Sequence, residues 1–130
     1  MKIKKLSCFI TITILFSIVM VMSCTSKSNN SAAPNVSFRK DLLPIFEASC
    51  AINSSCHVGA SNLNDNVDLS DSMAYSTITS KGLVYPSSPA ASILYNQVAT
   101  GAMPKDPYAK LSAAQKDLIL NWIQQGAKNN

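Results

Sequence analysis

The sequence predicts an all-α fold, a small bundle of three to five helices joined by long loops. Three observations carry this reading. No segment alternates apolar and polar residues convincingly over a strand's length, the C-terminal segment holds an apolar stripe at helical spacing, and the intervening stretches are rich in Gly, Asn, Asp and Ser.

The chain opens with "MKIKKLSCFITITILFSIVMVMSC", in which early lysines precede an apolar run from Phe9 to Met22. A run of about 14 residues suits the apolar part of a secretory signal and falls short of the ~20 that span a bilayer. Residues 1–23 therefore read as a signal peptide. Its end, "VMSC", resembles the lipobox of bacterial lipoproteins, which implies cleavage after Ser23 and lipid on Cys24. The signal carries three of the eleven basic residues and none of the seven acidic ones, so eight face seven in the mature chain. Without a basic patch, nucleic acid is excluded as a partner class. Cys8 leaves with the signal, which makes Cys50 and Cys56 the mature thiols, exposed to surroundings that permit disulfides.

Residues 24–37, "CTSKSNNSAAPNVS", hold almost no large apolar side chain and read as a flexible tether. Its reach is about 20 Å root-mean-square and about 40 Å at full extension. Residues 38–130 form one small domain.

Within that domain Asp41 is placed to cap a helix through "LLPIFEASC", with Pro44 in its first turn and Leu42, Ile45 and Phe46 on one face. Cys50 falls at the end of this helix. The stretch "GASNLNDNVDLSD" predicts a loop; Asn64, Asn66 and Asp68 alternate as in a calcium loop, but the glycine and terminal glutamate are missing, which leaves turn chemistry. Ser70 or Ser72 starts a short helix through "MAYSTI", with Met73 in the core beside Tyr75, and Ser88–Pro89 starts another through "AASILYNQV". In "LSAAQKDLILNWIQQGAKNN", Ser112 and Gln115 form a capping box, Leu118, Ile119, Trp122 and Ile123 form the stripe, and Gly126 marks the end. Trp122 reads as packing. So small a domain with extended polar connections needs a staple: a metal, a disulfide or a prosthetic group.

The chemistry-bearing stretch is "EASCAINSSCHVGAS", which contains Cys50, Cys56 and His57, the single histidine of the chain. A c-type haem is held by two cysteine sulfurs added to its vinyl groups and by a histidine that directly follows the second cysteine and ligates the iron. Cys56–His57 meets the adjacency requirement. Five residues separate the cysteines where the usual motif has two, so "AINSS" must bulge outward between the sulfurs. A Cys50–Cys56 disulfide with His57 as a bystander fits the same three residues, and these residues alone do not choose.

Met103 bears on the choice. Pro104 disfavours the helical region for the residue before it, so the Met103 side chain projects from a loop as an available thioether ligand. Cys50, Cys56, His57 and Met103 also form a soft donor set suited to a copper-handling module.

Taken in order, "FRKDLLPIFEASC", "CH", "YPSSPAASILYNQV", "MP" and "LSAAQKDLILNWIQQGA" resemble the small single-haem c-type cytochrome domains of bacterial exported proteins and lipoproteins, over nearly all of residues 38–127. The resemblance implies a cytochrome c-like bundle around one covalent haem c, with thioethers at Cys50 and Cys56. It further implies His57 as proximal and Met103 as distal iron ligand, and a C-terminal helix that crosses the first near the haem. The expected function is electron carriage between redox partner proteins, not enzyme catalysis. The expected location is a bacterial membrane, facing the periplasm or the cell surface, with Cys24 as anchor.

Overall fold

Ser37 and Asp41 together start the first helical segment. In the computed structural model, which describes residues 34–130, the chain turns as a π-helix over Phe38–Leu42 and runs directly into α1, Leu43–Ser49. The Ser37 hydroxyl accepts from the Lys40 N–H at 3.3 Å, and the Asp41 carboxylate accepts from the Ser37 N–H at 2.7 Å. Asp41 thus supports the cap from inside the helix instead of being the cap itself. Pro44 falls in the first turn of α1, as expected; because the π-helix runs straight into α1, its ring also meets the carbonyl four residues back. The chain widens there, and the Leu43 N–H reaches the Phe38 carbonyl five residues back. Leu42, Ile45 and Phe46 are buried together, as their spacing predicts, and Cys50 closes the helix through its N–H to the Phe46 carbonyl at 2.8 Å.

The Gly-, Asn- and Asp-rich segment that follows is a loop interrupted by a 3₁₀ turn at Asn62–Asn64. The next helix, α2, spans Ala74–Ser80 and has no side-chain cap. Ser70 does not cap it because its hydroxyl donates to Asp68 at 2.6 Å. Nor is Met73 a core residue. Ala74, Thr77 and Ile78 form the buried face, and Met73, roughly 100° around from Ala74, is 45% exposed.

The single helix expected after Ser88 is divided in two. Pro89–Ala91 is a 3₁₀ turn, Ser92 takes an extended ψ of 133°, and α3 runs over Ile93–Ala99. A tertiary bond explains the break: the fully buried Ser92 hydroxyl accepts from the Tyr85 N–H at 2.8 Å, and the Leu94 N–H reaches the Leu83 carbonyl at 3.0 Å. Helix α4, Ala113–Gln124, matches expectation. Ser112 and Gln115 exchange reciprocal cap bonds, Ile119, Trp122 and Ile123 are buried, and Gly126 follows at φ +96°, a conformation that favours glycine.

Among the described residues the fold is all-α, with four α-helices and no strand. Its core centres on Phe38, whose ring lies 5.2 Å from both Tyr75 and Trp122 and 6.0 Å from Phe46. Each such pair contributes about 0.5–1.5 kcal/mol beyond area burial. The polar ends of these rings are satisfied, since Trp122 Nε1 donates to the Lys128 carbonyl at 2.8 Å and the Tyr75 hydroxyl donates to the Ala127 carbonyl at 3.2 Å. Val36 is also buried, held by Gln125, so the packed body begins ahead of residue 38. The signal peptide, Cys24 and the first part of the tether lie outside the described residues.

Candidate functional site

Between Phe46 and Leu69 no hydrophobic side chain is fully buried among the described residues, though Cys50, Ala51 and Val67 pack against the core from its edge. Polar bonds add to this packing along the segment, which carries Cys50, Cys56 and His57. The His57 N–H reaches back to the Cys50 carbonyl at 3.0 Å, closing the insert "AINSS" into a loop. Asn53 shapes that loop by accepting at its side-chain oxygen from the Ser55 N–H at 2.9 Å and the Cys56 N–H at 3.2 Å. This is asparagine turn chemistry, and it folds the five residues between the cysteines into a bulge. Residues 52–55 are exposed along it.

The half-buried His57 ring is oriented by its Nδ1, which lies 2.9 Å from the Val67 carbonyl oxygen. A carbonyl only accepts, so Nδ1 is the donor, and in the neutral ring Nε2 is the nitrogen that carries the lone pair. The loop that supplies Val67 is bonded to the same segment again, through the Leu69 N–H to the His57 carbonyl at 2.8 Å. Asp68 lies near the imidazole. The Ser70 hydroxyl chiefly holds its carboxyl below the ordinary value; burial opposes this, and the Ser70 and Gly59 backbones and His57 add to it.

Cys50 and Cys56 are both half-buried and are not bridged to each other. Burial, and then the nearby Cys56, push the Cys50 thiol up to about 11. A thiol so raised stays protonated at neutral pH and is a poor nucleophile for disulfide formation.

Met103 lies in the connection between α3 and α4. Its N–H donates to the Gln97 carbonyl at 2.9 Å and its side chain is half-buried; the Met103–Pro104 bond is cis, and Pro104 is buried. The Lys110 ammonium donates to the Pro104 carbonyl and pairs with Asp106 at 3.3 Å, so the segment is cross-braced. Tyr108, in the same connection, accepts from the Asn53 side-chain amide at 3.0 Å. That bond ties the connection bearing Met103 to the loop bearing the cysteines. Cys50, Cys56 and His57 thus share one closed loop, and the connection that carries Met103 is bonded to that loop at Tyr108, five residues on from Met103.

This donor set fits a c-type haem: two thiols, an imidazole with free Nε2, and a thioether on a separate connection. Ile52, Val58, Leu63 and Tyr108, in the same two segments, are large hydrophobics exposed in the structure. By contrast, no three His, Cys, Asp or Glu side chains converge as a metal cluster among the described residues. A haem needs no such convergence, because its thioethers form at the porphyrin edge and its axial ligands approach from opposite faces.

Sequence reasoning reaches the cysteines, His57 and Met103 but not Val67, which acts through its backbone, nor the bonding of Asn53, Asn64 and Tyr108. For Asn53 and Asn64 the available signal is turn-forming composition alone. Comparison with protein-family models, with curated proteins and with solved structures gives no match for the chain.

Proposed function

We propose that this chain is a c-type cytochrome, tethered to a bacterial membrane through lipid on Cys24, that passes single electrons between redox partner proteins outside the cytoplasm. The observation that carries the reading is the 2.9 Å contact from His57 Nδ1 to the Val67 carbonyl, in a histidine that directly follows Cys56. It makes Nε2 the nitrogen that the neutral ring would offer to iron and fixes the ring in one orientation.

In this reading Cys50 and Cys56 would hold the haem as thioethers, by addition of each S–H across a vinyl group, which needs no oxidant. His57 Nε2 would be the proximal ligand and the Met103 thioether the distal one, on a connection braced around Pro104 and Lys110. When bound, haem c supplies a reversible Fe(II)/Fe(III) couple, which the His/Met ligand pair raises into the electron-transfer range. The protein's own work is to hold these ligands in place and in orientation. The role proposed is carriage, with His57, the single histidine of the chain, given to the iron.

A pyridine haemochrome spectrum, taken on protein made together with haem-attachment machinery and then denatured, tests the proposal. Haem that stays with the denatured chain is the expected result. Its absence sinks the reading in favour of the copper module or the disulfide-closed lipoprotein, which copper titration and thiol counting then separate.

A further inference from the structure

We infer that Asn64 is the positioning residue for the His57 imidazole, an inference that rests on the reading of His57 as an iron ligand. Asn64 is 5% exposed, and its side-chain amide is fully engaged. Nδ2 donates to the Cys56 carbonyl at 2.7 Å and to the Gly59 carbonyl at 2.8 Å, while Oδ1 accepts from the Ser61 N–H at 3.0 Å. Two carbonyls on one side and an N–H on the other leave the amide a single orientation. Its backbone carbonyl, in turn, accepts from the Val67 N–H at 2.9 Å.

These bonds bracket His57 from both sides. The Cys56 and Gly59 carbonyls belong to the residue before His57 and to the second residue after it, and Val67 is the residue whose carbonyl holds Nδ1. One buried side chain and its own peptide group therefore set the distance between the imidazole and the acceptor that fixes its proton.

Asn64→Asp keeps the shape of the side chain but replaces two donors with an oxygen that faces two carbonyl oxygens. In the ferrous, haem-loaded protein, ¹⁵N NMR reads the His57 Nδ1–H directly. The variant is expected to exchange this proton faster than the parent. In the same variant the reduction potential shifts while the haemochrome spectrum stays that of covalent haem. A variant that loses thermal stability but keeps the parental Nδ1–H exchange and potential overturns the inference, since Asn64 is then only structural. Should the Asp variant fail to fold, the unmodified protein still decides. Hydrogen-bond couplings from the Asn64 amide protons to the Cys56 and Gly59 carbonyls are expected, and fast-exchanging, uncoupled amide protons refute it. If no haem attaches at all, the proposed function fails by itself, and the same ¹⁵N measurement on the haem-free chain tests Asn64 separately.

Discussion

The Asn53 side-chain amide donates to the Tyr108 hydroxyl at 3.0 Å, a contact between residues 55 positions apart. Asn53 belongs to the insert between the two cysteines, and Tyr108 to the connection that carries Met103. The insert between Cys50 and Cys56 thus touches the connection that carries Met103. Tyr108→Phe removes this bond and leaves the rest of the side chain. Both residues are exposed, so the stability cost is at most about 1 kcal/mol. In the haem-loaded protein, stopped-flow binding of imidazole to the ferric form should accelerate several-fold, because the Met103 connection opens more easily. An unchanged rate means the contact does not govern access to the iron.

The Cys50 thiol gives a pH signature in the chain without haem. Its proton is held in the folded state up to about 11, against an ordinary value of 9.0. The raised value means that the fold gains stability from the protonated thiol. This contribution is complete below pH 9.0 and disappears as pH rises through about 11, a loss of roughly 2–3 kcal/mol. Denaturation at pH 8 and pH 11 should show that decline, and Cys50→Ala should lack it. A haem-loaded protein should lack it too, because a thioether has no proton to lose.

Two substitutions gauge the scaffold independently of any cofactor. Trp122→Ala removes a fully buried ring that packs on Phe38 and anchors Lys128, and should cost about 3–5 kcal/mol. Ser112→Ala removes one arm of the capping box on α4 and should cost about 1 kcal/mol. Urea denaturation followed by far-ultraviolet circular dichroism measures both, and a Trp122 loss no larger than the Ser112 loss contradicts an aromatic core centred on Phe38.

Met103→Ala addresses the distal ligand. The oxidised, haem-loaded variant should lose the long-wavelength sulfur-to-iron absorption band while retaining covalent haem. Persistence of that band assigns the distal position to another group.

Local chemistry makes α4 legible from its residues alone: cap, stripe and terminal glycine all lie within one short segment, and each signal acts on its neighbours. Elements shaped at a distance are not legible in this way. Ser92 breaks a helix that its own neighbours favour because it is tied to Tyr85, and Met73 is turned outward by which face of α2 meets the core. At Pro44 the ring's effect is predictable, but its outcome depends on the helix start that Ser37 sets. The site divides in the same way. Cys56–His57 and Met103–Pro104 stand out as candidates in the sequence, whereas the Val67 carbonyl has no side-chain signature, and Asn64 is distinguished from other turn asparagines only by its three partners in space.

The most direct test of the account is mass spectrometry of the peptide spanning Cys50 to His57, from chain made in cells competent for haem attachment. The account predicts one haem on that peptide, bound through both sulfurs, and a Cys50→Ser variant that retains it through Cys56 with one thioether fewer. Recovery of the peptide with both cysteines unmodified, or joined as a disulfide, contradicts it.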